Sequence, residues 1–325
     1  MIRRRLRGES SRFPVSTLSG LPRHFLTGAE LSADELRALL DRGLELKAEP
    51  RASSALAGRH VALVFEKPST RTRVSFEVGV AQLGGHTVVL SSSELQLGRG
   101  ETIEDTGRVL SRYVDAIVLR TFEQERIEVL AGAATIPVVN GLSDFEHPCQ
   151  ALADLFTVRE RLGGPAGHTL AYLGDGNNVA HSLLLAGAKA GMRVRVATPP
   201  GFEPIPQVAN RAAEIAGETG GAVEVLHDPE EAAADADVLY TDAWASMGQE
   251  DEADERALVF PSYQINQKLV DLAAPGVIVL HCLPAHRGQE ITDEVIDGPR
   301  SAVWDQAENR LHTQKALLLF LFDSA

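Results

Sequence analysis

The chain has 325 residues, 44% hydrophobic and 23% charged, enough to bury a large core and, on length, to form two domains. Its 45 Asp and Glu against 31 Lys and Arg leave a net charge of −14, which argues against sequence-independent binding to nucleic acid or anionic membranes but allows local basic pockets. Two cysteines, Cys149 and Cys282, rule out a disulfide framework and fit a reducing cytoplasm, and no apolar run reaches the ~18 residues of a membrane helix.

Residues 1–20 form an N-terminal extension, expected to be disordered. Arg3, Arg4, Arg5, Arg7 and Arg12 against Glu9 suit a targeting segment, a frayed tail or an overlong reading frame alike. Folding pattern begins near Pro22. Ser32 with Glu35 three residues on is a capping box, and Leu39, Leu40 and Leu44 carry the helix that follows. The apolar run His60–Phe65 reads as a buried strand that Lys67-Pro68 breaks. Ser69 and Thr70 are placed to cap a new helix, and Val74, Val78 and Ala81 are expected to hold one face of it against the core. Ser69-Thr70-Arg71-Thr72-Arg73 therefore brings hydroxyls, guanidinium forks and the free N–H groups of a helix start to one spot, which suits a phosphate. The alternative is a solvated helix start whose arginines pair with Glu66 and Glu77. No glycine-rich run ends in Lys-Ser or Lys-Thr here, so this is not a Walker-type loop.

A strand at 86–90, a helix at 102–113, a strand at 115–119 ending at Arg120, a helix near 123–130 and a strand at 136–139 follow. The last runs into a loop carrying Glu146-His147-Pro148-Cys149-Gln150. This alternation is that of a parallel α/β sheet, and Ser69 to Arg73, Arg120, His147 and Gln150 all fall at carboxyl ends of strands, the edge where such sheets bind ligands. A helix at 151–162 leads through Gly163–Gly167 into a second set: strand 168–173, helix 178–190, strand 193–197, helix 207–216, strands 222–226 and 237–241, helix 262–272 and strand 276–281. An apolar closing helix from about Gln306, with Leu311 and Leu317 to Phe320, is expected to pack back on the rest. There is no internal repeat or low-complexity tract.

Gly174-Asp175-Gly176-Asn177-Asn178-Val179 invites a dinucleotide reading, but Val179 stands where the third glycine belongs and no acidic residue closes the next strand. Asn177 and Asn178 instead offer amides at the sheet edge, one of them as a helix cap. Asp242, also at a strand end, is placed to meet an ammonium group or to cap a helix. His281 and Cys282 are neighbours on a strand end and face opposite ways, so they do not form a nucleophilic pair. The single cysteines make no zinc pattern, and His181, His286 and His312 read as structural or surface residues.

With these residues assembled, the chain resembles the aspartate/ornithine carbamoyltransferase family over almost its whole length. Ser69-Thr70-Arg71-Thr72-Arg73 resembles its carbamoyl-phosphate motif, and His147-Pro148-Cys149-Gln150 its second motif, although the third position is commonly Thr. Asp242-x-x-x-Ser246-Met247-Gly248 and His281-Cys282-Leu283-Pro284 are similar to the ornithine branch, and Arg310 matches a further site position. The resemblance implies an α/β chain of two similar domains, each a parallel sheet flanked by helices: carbamoyl phosphate at 21–150, ornithine at 151–304, and a C-terminal helix, 305–325, returning to the first. It implies transfer of the carbamoyl group of carbamoyl phosphate to the δ-amine of L-ornithine, giving citrulline and phosphate, in a cytoplasmic homotrimer or a larger assembly of trimers. Ser69, Thr70, Arg71, Thr72, Arg120 and Arg310 would hold carbamoyl phosphate, with Gln96 lent by a neighbouring subunit. Arg71, His147 and Gln150 would polarise and position the carbamoyl group, beside Cys282 and Leu283, with His147 as a neutral donor. Asn178, Asp242, Ser246 and Met247 would hold ornithine, and Cys282 would orient or deprotonate its δ-ammonium. Phosphate being the leaving group, no metal or organic cofactor is called for. A family member that binds carbamoyl phosphate without turning it over is a second reading, and a nicotinamide dehydrogenase a distant third.

Overall fold

Short apolar strands alternating with helices build two parallel sheets in the computed structural model, which describes residues 22–51, 53–91, 100–245 and 250–323. The first contains β1 (His60–Phe65), β2 (His86–Ser91), β3 (Ala116–Arg120) and β4 (Val138–Leu142) in the order β2-β1-β3-β4. Around it lie α1 (Ala33–Ala48), α2 (Arg71–Gln82), α3 (Ile103–Leu110) and α4 (Gln124–Ala133). The second contains β5 (Thr169–Leu173), β6 (Arg193–Ala197), β7 (Ala222–Leu226), β8 (Val238–Thr241) and β9 (Ile278–His281) in the order β7-β6-β5-β8-β9. Its helices are α6 (Asn178–Lys189), α7 (Pro206–Thr219), α8 (Pro229–Ala233), α9 (Ala253–Val259), α10 (Gln267–Leu272) and α11 (Asp293–Ile296). The central strands are buried along nearly their whole length, as strands covered by helices on both faces must be.

The capping box forms as read: Ser32 Oγ accepts from Glu35 N–H at 3.2 Å and Glu35 Oε2 from Ser32 N–H at 2.8 Å. The Arg23 guanidinium, bonded to Glu35, holds that carboxyl down to about 2. Helix α5 (Pro148–Leu162) starts three residues earlier than expected, with Pro148 in its first turn, where a missing N–H costs nothing. His147 thereby becomes its N-cap, Gln150 enters its first turn, and α5 runs unbroken across residue 150, joining the two sheets.

Helix α2 corrects two expectations. Thr70 has helical backbone angles and makes no side-chain cap bond, so its hydroxyl does not cap the helix. Val74 and Val78 are half exposed and Ala81 is exposed; Thr72, Phe76, Gly79 and Val80 are the buried face. The closing helix α12 (Val303–Asp323) decides which face is covered, because it packs on α1, α2 and α5. Its contacts are polar as well as apolar. Asn309 donates to Thr157 Oγ1 and Glu160 Oε2 at 3.0 and 2.9 Å, and the buried Lys315 ammonium donates to Leu46 O, Pro50 O and Gln82 Oε1 at 3.2, 3.2 and 2.8 Å. The short helices α8, α9 and α11 were not anticipated.

At Gly79, a Cβ would lie 3.2 Å from Lys315 Cγ and 3.4 Å from Leu311 Cδ1, so α2 and α12 touch there because the side chain is missing. Gly79→Val should cost about 1–3 kcal/mol by overpacking this contact, despite the gain in helix propensity, read as a lower midpoint in urea denaturation.

Candidate active site

In an open parallel sheet the ligand crevice lies where strand order reverses, outside the carboxyl ends of the two strands that flank the reversal. Here those strands are β1 and β3 in the first sheet and β5 and β8 in the second. The chain leaving β1 becomes the Ser69–Thr72 turn, and β3 ends on Arg120. The chain leaving β5 becomes Gly174–Asn178, and β8 opens onto Asp242. A register shift between Leu119 and Arg120, opposite β4, re-aims the last residue of β3.

Three guanidiniums converge on the first crevice: Arg71, Arg120 and Arg310. Arg120 is 5% exposed, and its Nε has no hydrogen-bond partner. Burial, with Arg310 and Arg71 nearby, lowers its pKa to about 10, so it stays charged at neutral pH. Arg310, buried on α12, donates to Gln150 Oε1 at 2.6 Å and Thr72 Oγ1 at 3.1 Å. None of the three has a carboxylate partner among the described residues. The arginines of the turn do not pair with Glu66, which binds Arg126 and Thr121 instead; only Arg73 pairs with Glu77, at 3.1 Å. Three unneutralised cations with a free buried N–H are a seat for a multiply charged anion.

His147 stands beside them, its backbone N–H donated to Ser182 Oγ at 2.9 Å and its ring Nδ1 without a partner. Burial first, and then Arg310, Arg120 and Arg71, push its pKa well below the ordinary imidazole value. It is therefore neutral at physiological pH and can donate one hydrogen bond but not supply a positive charge.

The second crevice has the opposite character. Asp242 accepts from the Cys282 thiol at 2.9 Å and from Asn177 Nδ2 at 3.0 Å, and the Cys282 pKa is raised well above that of a free thiol by burial and by Asp242. Asn177 is the helix cap, accepting from the N–H groups of Val179 and Ala180, while Asn178 donates to Ser143 O at 2.6 Å, on the first-domain side. The crevices meet where Arg71 Nη2 donates to Leu283 O at 2.6 Å. Leu283 has φ +59°, in the left-handed region, and its N–H donates to His281 Nδ1 at 2.9 Å.

Asp242, His281 and Cys282 bring potential metal-ligand atoms within 4.8 Å of one another. Both ring nitrogens of His281 are engaged, Nδ1 by Leu283 N–H and Nε2 with the buried Glu290 at 3.1 Å, so the trio is arranged for hydrogen bonding. His181 is structural, bridging Phe145 O and Ile205 N–H at 2.8 and 3.1 Å. In the Gly-Asp-Gly turn, a Cβ at Gly176 would fall 2.2 Å from Pro204 N, so the chain's own backbone occupies the approach a pyrophosphate would need.

Gln96, Ser246 and Met247 lie outside the described residues, as do residues 1–20. Of the other residues named from the sequence, Ser69 to Thr72 follow β1, Arg120 ends β3, His147 caps α5 with Gln150 in its first turn, Asn178 opens α6, Asp242 follows β8, Cys282 and Leu283 follow β9, and Arg310 lies on α12. Sequence reasoning overlooked Asp154 and Gln306, which bond Gln150 and the backbone of His281. Their signal was available: Asp154 sits one turn after Gln150, among residues that should be apolar on a buried helix.

Comparison with known proteins gives concordant matches. Residues 23–160 match the family model described as the aspartate/ornithine carbamoyltransferase carbamoyl-P binding domain, and residues 166–321 match the Asp/Orn binding domain of the same family. An ornithine carbamoyltransferase of Parafrankia sp. is 65% identical over 305 residues, covering 93% of this chain and 96% of the relative. An anabolic ornithine carbamoyltransferase of Pyrococcus furiosus is 54% identical over 307 residues, 94% and 97% of the two chains. The solved structure of ornithine carbamoyltransferase from Pyrococcus furiosus superposes with a TM-score of 0.89 at 54% identity, covering 93% of this chain and 97% of that one.

The thiol environment generates a direct test. Alkylation of Cys282 by iodoacetamide, followed by mass spectrometry, should be slow at pH 8. Asp242→Asn, which removes a charge that holds the proton on sulfur, should accelerate it.

Proposed function

This chain belongs to the aspartate/ornithine carbamoyltransferase family, and we infer that it is an ornithine carbamoyltransferase: it transfers the carbamoyl group of carbamoyl phosphate to the δ-amine of L-ornithine, releasing citrulline and phosphate. The observation that carries the assignment of the site is the junction itself. A crevice of unneutralised guanidiniums and a carboxylate–thiol pair face each other across the Arg71–Leu283 hydrogen bond.

In the proposed mechanism, Ser69, Thr70, Arg71 and Thr72 clasp the phosphate with Arg120 and Arg310, and Arg71 and His147 point donors at the carbamoyl oxygen. Gln150 Oε1 and Leu283 O are acceptors suited to the two N–H bonds of the carbamoyl amide. On the other side Asp242 draws in the δ-ammonium, with Asn178, Ser246 and Met247 on the amino-acid end. The free amine of an alkyl ammonium, with a pKa above ~10, is scarce at neutral pH, so the ammonium gives up one proton to solvent before attack. The nitrogen lone pair then forms the N–C bond, negative charge gathers on the carbamoyl oxygen, and the C–O bond to phosphate breaks. The amine's remaining surplus proton leaves with the phosphate. Donors preset for that oxyanion lower the barrier because they need no reorientation as charge develops. A thiol that keeps its proton and donates it in a hydrogen bond to Asp242 supports a steering role for Cys282 over that of general base.

The quaternary reading is a homotrimer with sites shared between subunits, Gln96 of one copy reaching the crevice of the next. The exposed Val74 and Val78 on α2, beside the phosphate turn, support it, since apolar surface there is suited to burial by another copy. No helix among the described residues is long and apolar enough to cross a membrane. A cytoplasmic location is supported by free Cys149 and Cys282, and a biosynthetic role in arginine metabolism by the anabolic relative.

The defining experiment is a product assay with carbamoyl phosphate and ornithine, acetylornithine, putrescine or aspartate. Citrulline from ornithine is the expected result; turnover confined to putrescine or acetylornithine would overturn the substrate assignment. Arg71→Ala should lower kcat by roughly 10²–10³, about 3–4 kcal/mol, through loss of a charge-assisted donor. A near-normal kcat/KM would remove Arg71 from the mechanism.

A further inference from the structure

Gln150 is useful to a carbamoyl group only if its amide points the right way round, and nothing in an amide's shape decides that. Its neighbours do. Arg310, a donor, takes Oε1 at 2.6 Å, and Asp154, an acceptor, takes Nε2 at 2.9 Å. The same Asp154 oxygen, Oδ1, accepts from Gln306 Nε2 at 2.7 Å, so a second amide is oriented by the same atom. Gln306 Oε1 in turn accepts from the backbone N–H of His281 at 2.8 Å, one residue before Cys282, and its Nε2 reaches the Tyr240 hydroxyl at 3.1 Å. Asp154, Gln150 and Gln306 are all no more than 2% exposed.

Building on the function inferred above, we propose that Asp154 is a positioning residue for the transfer. By accepting from two amides with one oxygen, it fixes the oxygen end of Gln150 toward the carbamoyl pocket and ties the strand end that carries Cys282 into the same frame. Its carboxylate touches neither substrate; it acts through Gln150 on the carbamoyl side and through Gln306 and His281 on the amine side.

The charge state matters because only an ionised carboxylate is an acceptor at every lone pair. A protonated carboxyl can also donate, and a donor beside Gln150 permits the amide to turn over. Burial raises the Asp154 pKa to about 7, against the opposing influence of Gln150, Gln306, Tyr240 and Arg310. The titratable or charged groups facing it are Arg310 from α12, Tyr240 from β8 and the Cys282 thiol after β9. The ionised, amide-ordering form therefore dominates above neutrality and is lost on acidification through that value.

Asp154→Asn is close in shape and resembles the protonated carboxyl permanently. The test is kcat/KM for carbamoyl phosphate at saturating ornithine for wild type and variant, taken as a ratio from pH 6 to 8.5 so that titration of the substrates cancels. The ratio should be about tenfold at pH 8.5, the worth of one charge-assisted hydrogen bond, and fall toward one at pH 6. A ratio independent of pH, or one near unity at pH 8.5, would overturn the proposal. Gln306→Leu gives a second readout that keeps the Asp154 carboxyl and its bond from Gln150: it should raise KM for ornithine more than KM for carbamoyl phosphate, and equal changes would refute the link to the Cys282 strand. Wild-type citrulline formation separates the layers, since its absence would defeat the functional assignment, whereas normal wild-type turnover with a flat ratio would defeat only the role of Asp154.

Discussion

Like charges held together out of water repel, and a protein keeps such an arrangement only when something else overdetermines it. Arg120 and Arg310 are held in this way by the end of β3 and the middle of α12, with the exposed Arg71 brought beside them by the start of α2. Much of the local architecture follows from the need to keep them together without a carboxylate. Uncharged acceptors, Gln150 Oε1, Thr72 Oγ1 and Leu283 O, take up the N–H groups that would otherwise seek an acid, and leave the positive potential intact for a ligand. Burial first, and then the same potential, keep His147 unprotonated, so the arginine cluster adds to what burial already does to its neighbour's chemistry.

Helix α12 connects this choice to the rest of the fold. It carries Arg310 into the first crevice and Gln306 to the strand end of the second, while Asn309 and Lys315 pin it to α5, α1 and the end of α2. A second tie runs the other way: Lys189, at the end of α6, donates to the carbonyl oxygens of Gly28 and Ala29 at 2.9 and 3.0 Å and to that of Leu31. Ammonium and guanidinium groups bound to carbonyls thus span the two halves, with directional bonds where an apolar seam would permit sliding.

The sequence was most legible where burial imposes its own pattern. The strand at 60–65 coincides with β1 because a strand covered on both faces is a nearly unbroken apolar run, and those at 193–197 and 222–226 coincide with β6 and β7 because Val alternates there with Arg or Glu, the period of a strand with one more open face. Turn residues between strand and helix placed Ser69 to Thr72, Arg120, His147 and Asp242 at the sheet edges without any knowledge of strand order. What failed was the choice between faces. Val74, Val78 and Ala81 are as helically spaced as Phe76, Gly79 and Val80, and only the arrival of α12, more than two hundred residues later, covers one set and leaves the other open. Helices α8 and α11 were missed because one turn of Ala, Glu or Val has no periodicity to read. Asp154 escaped for a different reason: its apolar neighbours on α5 signal burial, but what a buried carboxylate is for emerges only with its amide partners.

The crowding at Gly176 bears on what this scaffold could be made to do. The residue has no side chain because the 202–204 main chain passes through the volume where a methyl would sit, and its N–H is already given to Phe202 O at 2.8 Å. Beside it, Asp175 is locked to Arg256 at 2.8 Å. Retrofitting this βα turn as a coenzyme cradle by restoring the absent third glycine would therefore fail. The crossing loop would have to be rebuilt first, and with it the aromatic cluster in which Phe202 meets Phe260 edge-on and Trp244 stacks on Phe260.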